Sequence, residues 1–143
     1  MPHRALANVG FLSLILVSLA TAVGCSRSPA DKLAGKWVGD RIDNVSADDV
    51  ARATGWVKGT SFEFAGDKLT VTIPAEPARK GTFKVAKADG DKMTLAVTRS
   101  DDVTKAPVGD SPTPDLATLT MLDAKTMRWD IGDSREIVLV RAQ

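Results

Sequence analysis

The sequence predicts an all-β fold, a small up-and-down antiparallel β-barrel or coiled meander of about eight strands with one short helix between strands 1 and 2. From Thr60 onward, apolar and polar side chains alternate with a period of two, which is typical of strands with one buried face. Short Asp- and Gly-rich turns separate these runs and favour antiparallel pairing of sequence neighbours. Because an open meander leaves two unpaired edges, we expect the sheet to close.

The first strand is centred on Trp37, and the folded part is predicted to open at Leu33. Successive side chains of a strand point to opposite faces. We therefore expect Trp37, Gly39 and Arg41 to share one face, with Ile42 on the other.

A short helix is predicted to follow this strand. Ser46 can cap a helix start, and Asp49 stands three residues later, as in a capping box. The helix would run through Val50 and Ala53 and end at Gly55, which can adopt the left-handed conformation of a C-terminal cap. A helix this short needs packing partners to be stable.

The later strands supply most of the predicted core. Asp-Gly turns and the turns at 123–125 and 132–134 separate them, whereas the connection from Ser100 to Pro114 is long and rich in proline, which excludes a strand and predicts a loop at one rim. The side chains expected to face inward are Trp37, Phe62, Phe64, Leu69, Val71, Ile73, Phe83, Val85, Met93, Leu95, Val97, Leu119, Met127, Trp129, Ile131, Ile137 and Leu139.

The start of the chain has the layout of a secretory signal, with a basic start, an apolar run and small residues. The stretch Ala22-Val23-Gly24-Cys25 resembles the lipobox of bacterial prolipoproteins. This resemblance implies cleavage between Gly24 and Cys25 and diacylglyceryl modification of the Cys25 thiol. It divides the chain into a signal peptide (1–24), a lipidated tether (25–32) and a domain (33–143). The implied location is the cell envelope, and in a Gram-negative host the outer membrane facing the periplasm, with which Ser26 is compatible.

Other interpretations of the leader remain open. Ala20-Thr21-Ala22 also fits the A-x-A pattern of ordinary signal peptidase, which would leave Cys25 as a free thiol. The apolar run is about long enough to span a bilayer uncleaved, at roughly 20 residues. A buried structural cysteine fits poorly, because polar residues and a proline follow Cys25 directly.

Composition excludes several classes of function. Without the leader, basic and acidic side chains balance at 18 each, which gives no argument for a nucleic-acid partner. The only histidine is His3, the only cysteine is Cys25 and there is no tyrosine. The domain therefore lacks Ser-His-Asp and Cys-His catalytic sites, Cys/His zinc sites and internal disulfides.

The acidic clusters do not follow the spacing of a calcium loop, so no metal, cofactor or catalytic residue is predicted. An enzyme that uses carboxylates alone stays the least favoured alternative. The clusters comprise Asp40, Asp43, Asp48, Asp49, Asp101, Asp102 and Asp110.

A second resemblance concerns the domain. Gly35-Lys36-Trp37 looks like the G-x-W of lipocalins, and the runs from Lys58 to Val71 and from Lys80 to Val85 look like small bacterial lipocalin-like domains. In lipocalins a late arginine packs over that tryptophan, and both Arg141 and Arg128 are candidates. The resemblance implies an eight-stranded barrel that binds a small apolar molecule or a lipid.

Three tryptophans are the candidate ligand-binding residues: Trp37, Trp56 and Trp129. Trp37 and Trp129 sit on alternating strands, so core packing is the favoured alternative for them. Trp56 stands beside the predicted helix as either a lid residue or a pin for that helix. The predicted protein is a non-enzymatic envelope lipoprotein that binds a small apolar ligand or a lipid. The alternative is a filled barrel that serves as a structural or protein-interaction module for an envelope protein.

Overall fold

The computed structural model describes residues 27–100 and 114–143, and in these residues eight strands close into one antiparallel barrel in sequence order. The predicted all-β barrel with a helix between strands 1 and 2 is confirmed. The leader, Cys25 and residues 101–113 lie outside the described residues. The elements are α1 (Pro29–Leu33), β1 (Gly35–Asp43), α2 (Val50–Lys58), β2 (Ser61–Ala65), β3 (Lys68–Thr72), β4 (Arg79–Asp89), β5 (Lys92–Arg99), β6 (Asp115–Met121), β7 (Thr126–Gly132) and β8 (Arg135–Arg141).

The alternating strand directions give the barrel two different ends. At the closed end lie α1 and the short β2–β3, β4–β5 and β6–β7 turns. At the open end lie the connection that contains α2, the β3–β4 connection, the junctions with the long β5–β6 connection, and the β7–β8 turn. Gly66 and Gly90 adopt positive φ of 62° and 59° in two closed-end turns, as the Asp-Gly turn pattern predicts.

The period-two pattern is confirmed for most of the predicted inward-facing set, whose members form or pack against one core cluster. Ile131 is an exception, since 36% of it is exposed. A register shift between Asp130 and Gly132 leaves Ile131 without a partner on β8, and such a bulge interrupts the regular alternation. Ile73 is another exception, because it follows the end of β3 and is only half-buried.

A second bulge corrects the predicted faces of β1. The register with β8 shifts between Gly39 and Arg41, so that Arg41 pairs with Val138 and Ile42 pairs with Ile137. Because one extra residue reverses the alternation, Ile42 packs against the core and Arg41 does not. The prediction that Arg41 shares the Trp37 face is therefore wrong.

The ordered structure begins earlier than Leu33, within the segment predicted as tether. Ser28 caps α1 by accepting from the Asp31 amide (3.2 Å), and the Asp31 carboxylate accepts from the Ser28 amide (3.1 Å). This is a capping box with proline at the first turn. The helix places Leu33 fully inside the core.

The second helix differs from its prediction at both ends. Asp49 is the N-terminal cap residue and makes no side-chain cap hydrogen bond, while the Ser46 hydroxyl donates to the Asp49 carboxylate (2.8 Å). The helix continues through Gly55 to Lys58 and ends at Gly59. Its extra turn is stabilised by burial of Val57 in the core. In the part of the chain that the structure describes, no helix is long and apolar enough to cross a bilayer.

The closed end is held by Trp37 and Arg141, which face each other on β1 and β8. The Arg141 guanidinium lies 4.2 Å from the centroid of the Trp37 ring, within the range of a cation–π interaction. The Trp37 indole is fully buried and donates to the Leu33 carbonyl (2.8 Å). Arg141 is therefore the late arginine that the lipocalin resemblance implies. Arg128 instead pairs with Thr120 and Val138.

The same guanidinium ties three chain segments together. It donates to the carbonyls of Lys32 (2.8 Å) and Ala34 at the end of α1, and to the carbonyl of Ala124 (3.2 Å) in the β6–β7 turn. The last carbonyls of a helix have no partner within the helix, so Arg141 satisfies groups that would otherwise need water. Gly35 has φ of 109° and its α-carbon faces the Arg141 guanidinium, which explains the glycine of the G-x-W stretch.

Replacing Arg141 is expected to loosen the closed end. Arg141→Leu removes three hydrogen bonds and the contact with Trp37, so its free energy of unfolding should fall by about 2 to 4 kcal/mol. Arg135→Leu is the matched control on the same strand. It removes an exposed pair with Asp133 (3.1 Å), so we expect a loss under about 1 kcal/mol. Urea unfolding followed by circular dichroism measures both, and equal losses would contradict the assignment.

Candidate ligand site at the open end of the barrel

An aromatic cluster occupies the middle of the barrel. The ring centroids of Phe62 and Trp129 are 4.8 Å apart, and those of Phe64 and Trp129 are 6.4 Å apart. Phe64 and Phe83 meet edge to face at 5.1 Å, a favoured geometry for aromatic rings. These rings fill the middle of the barrel interior.

A cavity of about 240 Å³ lies above this cluster, and we call it the mouth cavity. Its floor is apolar, with Trp129, Leu69, Val71 and Val97, and its rim carries charged side chains. The full lining is Leu69, Val71, Arg79, Lys80, Gly81, Val97, Arg99, Asp115, Ala117 and Trp129. An apolar lining with a few convergent polar groups is the usual composition of a small-molecule site.

Two small residues leave this space open. Gly81 lies between Leu69 and Arg99 in the cross-strand pairing, and Ala117 pairs with Leu95. A Cβ at Gly81 would stand 2.4 Å from the Thr98 carbonyl oxygen, so no side chain fits there. The neighbouring inward-facing positions carry large side chains. The cavity therefore forms beside Gly81 and Ala117, whose side chains are absent or small.

The rim of the mouth cavity is charged because three strand ends meet there. Arg79 begins β4, Arg99 ends β5 and Asp115 begins β6. The Arg79 guanidinium is 2.7 Å from the Glu76 carboxylate, and Arg99 Nε is 3.5 Å from the Asp115 carboxylate. All these side chains are partly exposed, so each pair adds little stability.

The end of α2 closes part of the barrel mouth. Gly39 donates its amide to the Thr60 carbonyl (2.9 Å), and a Cβ at Gly39 would stand 1.9 Å from the Val57 carbonyl oxygen. The helix backbone therefore occupies the place of a missing side chain on β1. At Gly59 a Cβ would be 2.4 Å from the Pro74 ring, so the β3–β4 connection holds the helix end from the other side.

A second cavity, which we call the helix cleft, lies between α2 and the β7–β8 hairpin. Its volume is about 440 Å³. Ile42, Val45, Ala53, Trp56 and Ile131 give it an apolar lining, with Asp49, Arg52 and Arg135 at its edge. Asp49 pairs with Arg52. The helix cleft and the mouth cavity both open to solvent.

The three tryptophans predicted to bind ligand lie in three different surroundings. Trp129 is half-buried and lines the mouth cavity. Trp56 is 39% exposed and lines the helix cleft. Trp37 is fully buried at the closed end beneath Arg141. The structure therefore brings Trp129 and Trp56 to the open end without placing them in one cavity.

Sequence reasoning missed the polar part of the mouth. Arg79, Arg99 and Asp115 all fall on the inward phase of their strands, since they pair with Val71, Gly81 and Val97 respectively. Extending the period-two pattern by one step beyond the apolar residues would have found them. The small residue Ala117 gives no such signal, because alanine is common on both faces.

Three of the four acidic residues near α2, namely Asp40, Asp43 and Asp49, form local ion pairs. Asp40 and Asp43 both pair with Arg41 at 3.2 Å. Among residues 27–100 and 114–143, no group of three or more His, Cys, Asp or Glu side chains is placed to hold a metal ion. Asp101, Asp102 and Asp110 lie outside the described residues. A third cavity, about 320 Å³ at the closed end, is lined by Arg27, Lys32, Asp91, Met121, Leu122, Asp123, Ala124 and Arg141.

Two solved structures are similar to this chain. A lipocalin-like protein from Bacteroides uniformis has a TM-score of 0.49 and 12% sequence identity, covering 78% of this chain and 99% of its own. An uncharacterized protein from Bacteroides eggerthii has a TM-score of 0.48 and 12% identity, covering 77% and 99%. No protein-family model matches the chain, and no curated protein matches its sequence.

The close packing of α2 against Gly39 can be tested with two glycine substitutions. Gly39→Ala places a methyl group where the Val57 carbonyl lies, so the free energy of unfolding should fall by about 1 to 3 kcal/mol. Gly55→Ala is the control, since nothing lies within 4 Å of its Cβ. It should gain about 0.5 to 1 kcal/mol from helix propensity. Amide hydrogen exchange at Val57 and Thr60 should accelerate in Gly39→Ala alone. Unchanged exchange at these amides would contradict the close packing of α2 on Gly39.

Proposed function

We propose that the protein binds a small, mainly apolar molecule in the mouth cavity and does so as a lipid-anchored protein of the bacterial envelope. The observation that carries the binding proposal is the mouth cavity itself, an apolar recess above Trp129 that ends in a charged rim. At about 240 Å³, it lies below the range of roughly 300 to 1,000 Å³ for drug-sized ligands. The ligand is accordingly small.

The chemistry of the described residues supports binding without catalysis. The domain holds no imidazole and no thiol besides Cys25, so nucleophile–base pairs of the usual kinds cannot form. The rim carboxylates are exposed and paired with arginines, whereas catalytic carboxylates are tuned by burial or by like charges. These features favour a carrier or sensor over an enzyme.

The anchoring proposal depends on the lipobox resemblance of Ala22 to Cys25. A lipoprotein carries two or three acyl chains, and two chains suffice for stable attachment. The proposed location is the cell envelope, and in a Gram-negative host the periplasmic face of the outer membrane. Ser26 after the cysteine is compatible with that delivery.

A second candidate function is a protein-interaction module. Val50, Trp56 and Ile131 are 43%, 39% and 36% exposed, and Trp56 and Ile131 line the helix cleft. Exposed large apolar side chains that cluster mark contact surfaces. The filled middle of the barrel interior is also compatible with this function.

Ligand binding in the mouth cavity predicts a specific effect of filling it. Wild-type protein should bind the neutral probe N-phenyl-1-naphthylamine with increased probe fluorescence. Ala117→Leu should weaken that binding by about tenfold or more, because a loss of 1.4 kcal/mol is already tenfold. Ala96→Leu is the control, since Ala96 pairs with exposed Leu116 on the outer face. Equal binding by both variants would place the probe elsewhere and favour the interaction module.

The anchor predicts a change of cell fraction. Cys25→Ser should move the protein from the membrane fraction to the soluble or unprocessed fraction and abolish incorporation of labelled palmitate. Ser26→Ala should retain both properties. An intact mass that shows an unmodified cysteine, or a mature chain that starts at Val23, would refute anchoring and leave the binding proposal untouched.

A further inference from the structure

The two cavities at the open end of the barrel meet at β7. Trp129 lines the mouth cavity, and Ile131, two residues later on the same strand, lines the helix cleft. Two residues of a strand span about 7 Å, so the two apolar linings come within the reach of one flexible ligand.

The strand end between the two cavities is held on one side only. The pairing of β6 with β7 stops at Leu119 and Trp129, whereas β7 stays paired with β8 as far as Gly132 and Arg135. Among the described residues, Ile131 has no cross-strand partner on either neighbouring strand. Strand ends with few backbone bonds open more easily than fully paired ones. The end of β7 is therefore a weak partition between the mouth cavity and the helix cleft.

The charges around the two cavities are already balanced. Each arginine that lines either cavity has a carboxylate partner among the described residues, and both linings are otherwise mainly apolar. The pairs are Arg52 with Asp49, Arg79 with Glu76 (2.7 Å), Arg99 with Asp115 (3.5 Å) and Arg135 with Asp133 (3.1 Å). A charged ligand would have to compete with these pairs, whereas an uncharged apolar ligand leaves them intact.

The shapes of the cavities favour a long and narrow ligand. The mouth cavity, at about 240 Å³, is too small for a bulky molecule. The helix cleft adds about 440 Å³ beside it, with Ile42, Ala53 and Trp56 in its apolar lining. A compact ligand would fill one cavity only, but a linear chain can contact both. Each further methylene that it buries strengthens binding about fourfold.

We infer that the mouth cavity and the helix cleft are two ends of one site for an unbranched, uncharged alkyl chain. The chain lies over Trp129, passes the end of β7 at Ile131 and continues against Trp56. The inference rests on the proposed function, because it extends the same cavity and names the class of its ligand. It also gives Trp56 and Trp129 one common ligand, although they line different cavities.

The test compares two alcohols that differ only in chain length. Octan-1-ol and dodecan-1-ol are each titrated to displace N-phenyl-1-naphthylamine from the full chain. Ala53→Leu fills the helix cleft, so it should weaken binding of dodecan-1-ol about tenfold and change that of octan-1-ol less than twofold. Ala117→Leu fills the mouth cavity and should weaken both alcohols.

A matched control and a second variant accompany this test. Ala51→Leu makes the same substitution on α2 at an exposed position outside the lining of the helix cleft, and both alcohols should bind it as they bind the wild type. Ile131→Ser removes the apolar contact between the two cavities. Because Ile131 is 36% exposed, this variant should fold, and it should weaken dodecan-1-ol at least threefold.

The outcomes separate the extended site from the mouth cavity alone. If Ala53→Leu and Ile131→Ser leave dodecan-1-ol unchanged while Ala117→Leu weakens both alcohols, the extended site is wrong and the mouth cavity stands. If Ala53→Leu weakens both alcohols equally, the ligand lies in the helix cleft alone, which also overturns the extended site. If Ala117→Leu leaves the probe and both alcohols bound, the proposed function fails together with it.

Discussion

The contact between Arg141 and Trp37 is the constraint on which the barrel depends. It joins the last strand to the first across the seam where the sheet closes. The guanidinium also caps the C-terminal end of α1 by donating hydrogen bonds to the carbonyls of Lys32 and Ala34. The Trp37 indole donates to the Leu33 carbonyl. One cross-strand pair thus connects the β1–β8 pairing, α1 and the β6–β7 turn. It holds the closed end of the barrel in place beneath the rest of the interior.

Most of the fold could be predicted from the sequence because alternation with a period of two is a strong signal in half-buried strands. The errors have local causes. Bulges next to Asp40 and at Ile131 add a residue and reverse the faces, and no pattern of apolar residues marks them. The α2 helix passes through Gly55 because packing of Val57 outweighs the local preference of glycine. Sequence reasoning missed α1, although Ser28 and Asp31 stand at the spacing of a capping box.

The candidate site was less predictable because its shape depends on glycines, which carry no side chain. Gly39 and Gly81 both lack the room for a Cβ, but with opposite results. At Gly39 the backbone of α2 fills the space, and part of the mouth is closed. At Gly81 the backbone of Thr98 takes the place of a Cβ, so β4 sends no side chain into the neighbouring mouth cavity, which is also lined by the small residue Ala117. Sequence alone does not distinguish a glycine that seats a helix from one that leaves a recess.

The chain enters the barrel at the closed end, and this position sets the orientation of the barrel toward any surface that holds Cys25. Arg27 and α1 lie at the closed end, and the two residues from Cys25 to Arg27 span at most about 7 Å. β1 has nine residues, which corresponds to a strand length of about 30 Å. A lipid on Cys25 would keep the base of the barrel beside the bilayer and point its mouth away. In the proposed function, a ligand of the mouth cavity would then arrive from the aqueous side and not from the leaflet beneath.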